Sequence, residues 1–161
     1  MTCYGGKELA ASFRTVRANT IQIAEEIPEA KYDFRAAADC RSIGRTLAHI
    51  AIASGIQMHT HSNKIDDLKN VNFPDLMRKL AAEEAKPRTK AEIIALLETE
   101  GDRFASFLEG LADSFLAERV MMPPGAQSAS KSRFEMLLSP KEHEMHHRGQ
   151  LMLIERQLGI A

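Results

Sequence analysis

The chain has no tryptophan, and aromatic residues occupy only 6% of its 161 positions. Its apolar share of 44% is therefore mostly aliphatic, and the length suits one domain, residues 1–161, with a proper core. Cysteine is scarce too. Cys3 and Cys40 form neither a disulfide framework nor a metal-type spacing, so a reduced cytoplasmic protein with a loose N-terminus is expected. No apolar run approaches the ~20 residues of a membrane span. The opening MTCYGGKELA lacks the hydrophobic segment of a secretory signal. Neither sign of charge dominates: 21 Lys and Arg stand against 22 Asp and Glu, a formal net charge of -1. Phosphate recognition needs a clustered basic excess, so nucleic acid is not expected as a partner. No period-two run, internal repeat or low-complexity tract occurs.

What is present is helical periodicity. A first helix is predicted from about Lys7 to Ile27, with Leu9, Phe13, Val16, Thr20, Ile23 and Ile27 on one stripe and Arg14, Arg17 and Glu25 off it. Pro28 stops it, and Pro28 to Cys40, with Tyr32 and Phe34, reads as a loop laid over the core. Ser42 is a good N-cap for a second helix that runs on through IGRTLAHIAIASGIQMHTH to polar residues at His59–Lys64. Ile65 to Arg88 is connector, with a short extra helix from Phe73-Pro74 to about Glu84. Thr89 and Glu92 match a capping box that opens a third helix, with Ile93, Leu97, Gly101, Phe104, Leu108 and Leu111 on its stripe. Small Gly101 there suits the close approach of another helix. Ser114 to Lys131, which contains Met121-Met122-Pro123-Pro124-Gly125, reads as a crossover loop. A fourth helix follows from about Arg133 to Leu158, closed by Gly159. Pro140 falls inside it, and the unbroken apolar stripe favours a kink over a new start at Lys141. The expected fold is an all-α four-helix bundle with long connections, a form that builds metal sites from facing helices.

The six histidines sort by face. His143 and His147 are one helical turn apart and share the apolar stripe of the fourth helix with Met136, Leu151, Ile154 and Leu158. Two inward imidazoles with no ligand would leave buried nitrogens to satisfy, so the pair points to a metal. His146 lines up with Gln150, Leu153 and Gln157 on a more polar face. His49 sits mid-helix between Leu47 and Ile50, where it could face the pair across the bundle, although alone it reads more readily as a hydrogen-bonded core residue than as a ligand. His59 and His61 fall at a polar helix end and are expected to be exposed.

The segments RSIGRTLAHIA (Arg41 to Ala51) and EHEMHHRGQL (Glu142 to Leu151) resemble the second- and fourth-helix motifs of the DinB/YfiT-like superfamily. The opening SFRTVRANTIQIAEEIPEAKYDFR is also similar. The resemblance covers most of the chain and is weakest over Lys64–Arg88 and Met121–Ser130. It implies a DinB-like four-helix bundle in which His49, His143 and His147 hold a divalent metal, and it implies a homodimer. Three neutral imidazoles leave an ion with an open position, the pattern of a catalytic site. Zinc and nickel suit such a set best, with iron and manganese also compatible.

The ion would deprotonate a bound thiol and acidify a bound water. By the resemblance, the expected activity is a metal-dependent transferase that acts on a small-molecule substrate through a low-molecular-weight thiol. The alternatives are a metal-dependent hydrolase and a non-catalytic metal-binding or sensing protein. His143-Glu144-Met145-His146-His147 also spells H-E-x-x-H, in which Glu144 would be a general base, but an exposed helix carboxylate is the preferred reading of Glu144. Arg148 and Gln150, off the metal-facing stripe, are read as polar supports that contact neighbouring helices or a subunit partner.

Overall fold

The structure is a computed structural model that describes residues 4–160. Cys3 lies outside the described residues. Four long elements carry the fold: α1 (Gly6–Glu26), α2 (Ile43–Ala53), α5 (Lys90–Glu109) and α7 (Arg133–Gln157). Between them lie α3 (Gly55–Ser62), α4 (Phe73–Glu84), α6 (Asp113–Ala117) and a hairpin of β1 (Arg119–Met121) with β2 (Ser130–Ser132). α1 and α2 each pack against both α5 and α7, which makes an all-α four-helix bundle. α4 lies against the outer side of α2.

Local chemistry sets the helix starts. Ser42 Oγ accepts from the Arg45 backbone N–H, and Asn72 Oδ1 accepts from that of Asp75. Thr89–Glu92 and Ser132–Glu135 form reciprocal capping boxes. α7 passes through the buried Pro140 without ending. The Pro28–Cys40 loop is held down by Tyr32, whose O–H donates to the Ala24 carbonyl at 2.6 Å and whose own carbonyl accepts from Gly44. That anchoring sets the next residues, Arg35 to Cys40, beside the start of α2.

Three local expectations need correction. The second helix is not continuous to its polar end: it is divided at the Ser54-Gly55 pair, a common place for a helix to bend. The crossover loop is not irregular throughout. It contains α6 and the hairpin, in which Val120 pairs with Lys131 and is buried with Leu68 and Met136. Three-residue strands are too short to show a period of two in sequence. Third, His61 is buried, at 1% exposure. Its Nδ1 accepts from Arg133 Nη1 at 3.2 Å, and its Nε2–H donates to Gln57 Oε1 at 3.1 Å. Arg133 also donates to Glu118 and to the Ile65 carbonyl and stacks over Phe115, which closes the bundle end around His61.

The largest departure concerns α1. Arg17 is off the apolar stripe, yet it is only 4% exposed. Gly101 explains this: a Cβ there would lie 2.9 Å from Arg17 Cγ and 3.0 Å from Nη1, so the missing side chain leaves the room that Arg17 fills. Arg17 Nη1 donates to the Leu97 carbonyl at 2.7 Å, and Nη2 donates to the Ile50 carbonyl at 3.3 Å. Nε and Nη2 each donate to Glu144 at 2.9 Å, one to each carboxylate oxygen. Glu144 is 1% exposed, so it is not the surface carboxylate expected of it.

Two outcomes follow from these buried groups. Arg17→Met should cost about 3–5 kcal/mol in denaturant unfolding, because it strands the Glu144 charge, while the double change Arg17→Met with Glu144→Leu should recover most of that loss. A double variant no more stable than the single one would show that the pair itself is not the cause. His61 is pushed down to about 4 by burial and by the neighbouring Arg133 charge. The unfolded chain therefore takes up a proton at His61 below about pH 6.5 while the folded chain does not. Stability should fall as pH drops from about 6.5 toward 4, and His61→Gln should flatten that part of the pH–stability curve.

Candidate metal centre

α2 contributes His49 and α7 contributes His143 and His147. Their Nε2 atoms converge: His49 to His143 is 3.0 Å, and His147 to His143 is 3.2 Å. The three donor atoms all lie within 4.8 Å of one another. Ligand nitrogens about 2.0–2.1 Å from one ion stand about 2.9 Å apart in octahedral and about 3.3 Å apart in tetrahedral geometry, so these separations suit one first-row ion.

The outer nitrogens decide the tautomers. His49 Nδ1 faces Glu84 Oε2 at 3.1 Å, and His147 Nδ1 faces Gln150 Oε1 at 2.8 Å. Both partners are acceptors, so each Nδ1 carries the hydrogen and each Nε2 presents a lone pair to the cluster. One hydrogen on His143 Nε2 cannot satisfy both lone pairs with good geometry, whereas a shared cation satisfies all three.

Electrostatics act in the same direction. Burial lowers the His143 pKa to about 4, helped by His147 and His49. His49 is lowered by burial and by Arg41, with Glu84 opposing, and His147 is lowered by burial, with Gln150 opposing. The imidazoles are thus held neutral, as a metal requires. Glu84 is 6% exposed at the end of α4. Burial pushes its pKa up, but Arg41 and His49 outweigh that and hold it below its usual value. Glu84 Oε1 accepts from Arg41 Nε at 2.7 Å and from Arg45 Nη2 at 3.2 Å.

His49, His143 and His147, singled out in the sequence, are therefore brought together. His59 is exposed and apart. His146 is exposed; it packs edge-on against the His147 ring and its Nε2 meets Gln150 Nε2, but it is not one of the three converging donors. Glu144 is unsuited to act as a base, since both its oxygens are held by Arg17 in the bundle interior. Gln150 does not reach a neighbouring helix: it bridges His146 and His147 on its own. Arg148 is half-buried, and its Nη1 has no hydrogen-bond partner among the described residues. Glu84 went unrecognised in the sequence. It is one of two adjacent glutamates in a weakly patterned connector, and only its approach to His49 distinguishes it.

Two cavities open on the cluster. One, of about 630 Å³, lies between the Pro28–Cys40 loop, α2 and α7, with Arg35, Arg41, Arg45, His147 and Gln150 on its walls. The other, of about 340 Å³, is mostly apolar, with Ile52, Ile56, Met77 and Leu80 alongside His49 and His143. Arg41 and Glu84 border both.

Fold and cluster together define a helical-bundle protein with a candidate three-histidine metal centre. The sequence profile of the DinB family matches residues 1–161, and the chain belongs to that family. Solved structures agree on the fold. A DinB-like protein of Bacillus subtilis, YjoA, is 19% identical with a TM-score of 0.68, over 94% of this chain and 92% of that one. YfiT of Bacillus subtilis, described as a probable metal-dependent hydrolase with an unusual four-helix bundle topology, is 15% identical with a TM-score of 0.72, over 99% and 90%. A mycothiol-dependent maleylpyruvate isomerase is 15% identical with a TM-score of 0.65, over 91% of this chain and 62% of that one. No curated protein matches the chain. Among the described residues no helix is long and apolar enough to cross a membrane.

Elemental analysis of tag-free protein tests the site. About one equivalent of transition metal is expected after loading, and His49→Ala, His143→Ala and His147→Ala should each remove most of it while His59→Ala does not. Glu84→Gln should weaken metal affinity by roughly 10–100-fold, since it removes the carboxylate that orients His49. Less than about a tenth of an equivalent in the loaded wild type would refute the site.

Proposed function

We propose that the protein is a metal-dependent transferase that joins a low-molecular-weight thiol to an electrophilic small molecule at His49, His143 and His147. A divalent ion on three neutral imidazoles, zinc or nickel by ligand preference, supplies the Lewis acidity that makes a thiol a nucleophile at neutral pH. The observation that carries the reading is the pair of cavities at the cluster, one bordered by charged side chains at His147 and one mostly apolar at His49 and His143. Such an arrangement suits two reactants that meet at one centre.

The residues divide the work. His49 and His147 are oriented by Glu84 and Gln150, so their lone pairs stay aimed at one point. Arg41 keeps Glu84 charged, and Arg41 and Arg45 together hold it in place. Ile52, Ile56 and Leu80 form a surface for an apolar electrophile. Glu84, which meets His49, and Glu144, the base that H-E-x-x-H would offer, are both held by arginines. Thiol transfer suits two engaged carboxylates, because an ion held by the three histidines would itself acidify a bound thiol.

Hydrolysis is the second reading, favoured by the YfiT likeness and by the open position that three histidines leave. A homodimer in the cytoplasm remains part of the proposal. The assay that separates the readings incubates metal-loaded protein with an electrophile such as chlorodinitrobenzene and a panel of small thiols. Thioether formation that depends on metal and falls to background in His147→Ala is the expected result. Cleavage of an ester or amide substrate without thiol, and no thioether, would replace transfer with hydrolysis.

A further inference from the structure

We propose that the larger cavity is a carboxylate-binding site, which receives the acidic end of a small thiol while its sulfur lies at His147. This rests on the thiol-transfer reading and adds to it the chemical class of the occupant. The cavity wall carries three guanidinium groups, of Arg35, Arg41 and Arg45, against two carboxylates, of Asp39 and Glu84. Glu84 takes one N–H from each of Arg41 and Arg45. Arg35 Nη1 donates to the Cys40 carbonyl at 2.7 Å. Asp39 makes no ion pair with any of the three among the described residues. Arg35 Nε and Nη2, both terminal nitrogens of Arg41, and Arg45 Nε and Nη1 therefore have no protein acceptor there.

A planar guanidinium with free N–H groups is the side chain best matched to a carboxylate, and charge-assisted pairs of this kind are among the stronger polar contacts. Glu84 and Asp39 offset two of the three positive charges, so the remaining charge suits one ligand carboxylate. The volume of about 630 Å³ falls in the range of small-molecule sites. His147 and Gln150, from α7, line the same cavity, so an acid held by the arginines has its other end within the space that reaches His147. The apolar cavity lacks any such free donor set beyond the shared Arg41. The two reactants are thus sorted by charge, the acidic thiol on one side and the apolar electrophile on the other.

Arg35 is the position to test, because among the described residues it hydrogen-bonds only to the Cys40 carbonyl and to neither Glu84 nor a histidine. Cobalt-loaded protein is titrated with mercaptosuccinate and with 2-mercaptoethanol, and the sulfur-to-cobalt charge-transfer absorption is followed. Mercaptosuccinate should bind at least about tenfold more tightly. In Arg35→Ala that preference should shrink to about twofold at unchanged cobalt content, and Arg35→Lys should restore part of it. Equal binding of the two thiols to the wild type overturns the carboxylate site and leaves thiol transfer intact. So does a preference that Arg35→Ala does not reduce, since chelation at the cobalt then accounts for it.

If neither thiol gives the absorption, the thiol reading fails, and calorimetry with succinate and metal-free protein decides the cavity separately. Binding heat that is lost in Arg35→Ala supports the site. No heat, or the same heat in both proteins, overturns it.

Discussion

The structure depends most on one buried guanidinium. Arg17, on α1, bonds to a carbonyl of α2, a carbonyl of α5 and the carboxylate of Glu144 on α7, so a single side chain ties the four long helices together. A buried charge without a partner is costly, which makes the rotation of α7 about its own axis a consequence of this pair. Successive helical residues are turned by about 100°. With Glu144 aimed at the bundle centre, His143 and His147 both fall on the same side of it, about 40° apart as seen down the axis. The histidines are thereby turned out of the central core toward α2, where His49 meets them and cavities can reach them.

The second constraint is the neutrality of the cluster. Three imidazoles a hydrogen-bond length apart repel one another once protonated, and burial depresses all three. Glu84 works against that depression at His49 and also fixes its tautomer. Arg41, on the far side of Glu84, opposes that carboxylate's pull of a proton onto the ring. The order from histidine to carboxylate to guanidinium runs outward from the cluster to the cavity wall. Arg41 and Arg45 thus support the histidine cluster on one edge and face open space on the other.

Helix positions were largely legible in the sequence because they depend on local signals. Thr89 with Glu92, Ser42, and Pro28 mark ends within a few residues of their own chain, and the structure places those ends where the signals lie. The three-histidine grouping was legible as well, because His143 and His147 share an apolar stripe and the surrounding motifs have family counterparts. Polar residues that leave the surface were not. Arg17 and Glu144 look like solvated positions on their own helices. They become interior only because Gly101 opens a space between α1 and α5, and that coincidence lies 84 residues along the chain from Arg17. His61 misled for the same reason: a polar helix end reads as exposed until Arg133, from a distant segment, covers it.

The sequence by itself determined the helices, the bundle class and the candidate ligand set, since each follows from periodicity, capping and motifs read over short distances. Only the tertiary structure decided that Glu144 is a structural partner and not a base, that Glu84 stands behind His49, and that the cluster opens on one charged and one apolar cavity. Those assignments depend on which side chains meet across helices. The energy of a buried charge is set by its neighbours in space, and local sequence does not encode them.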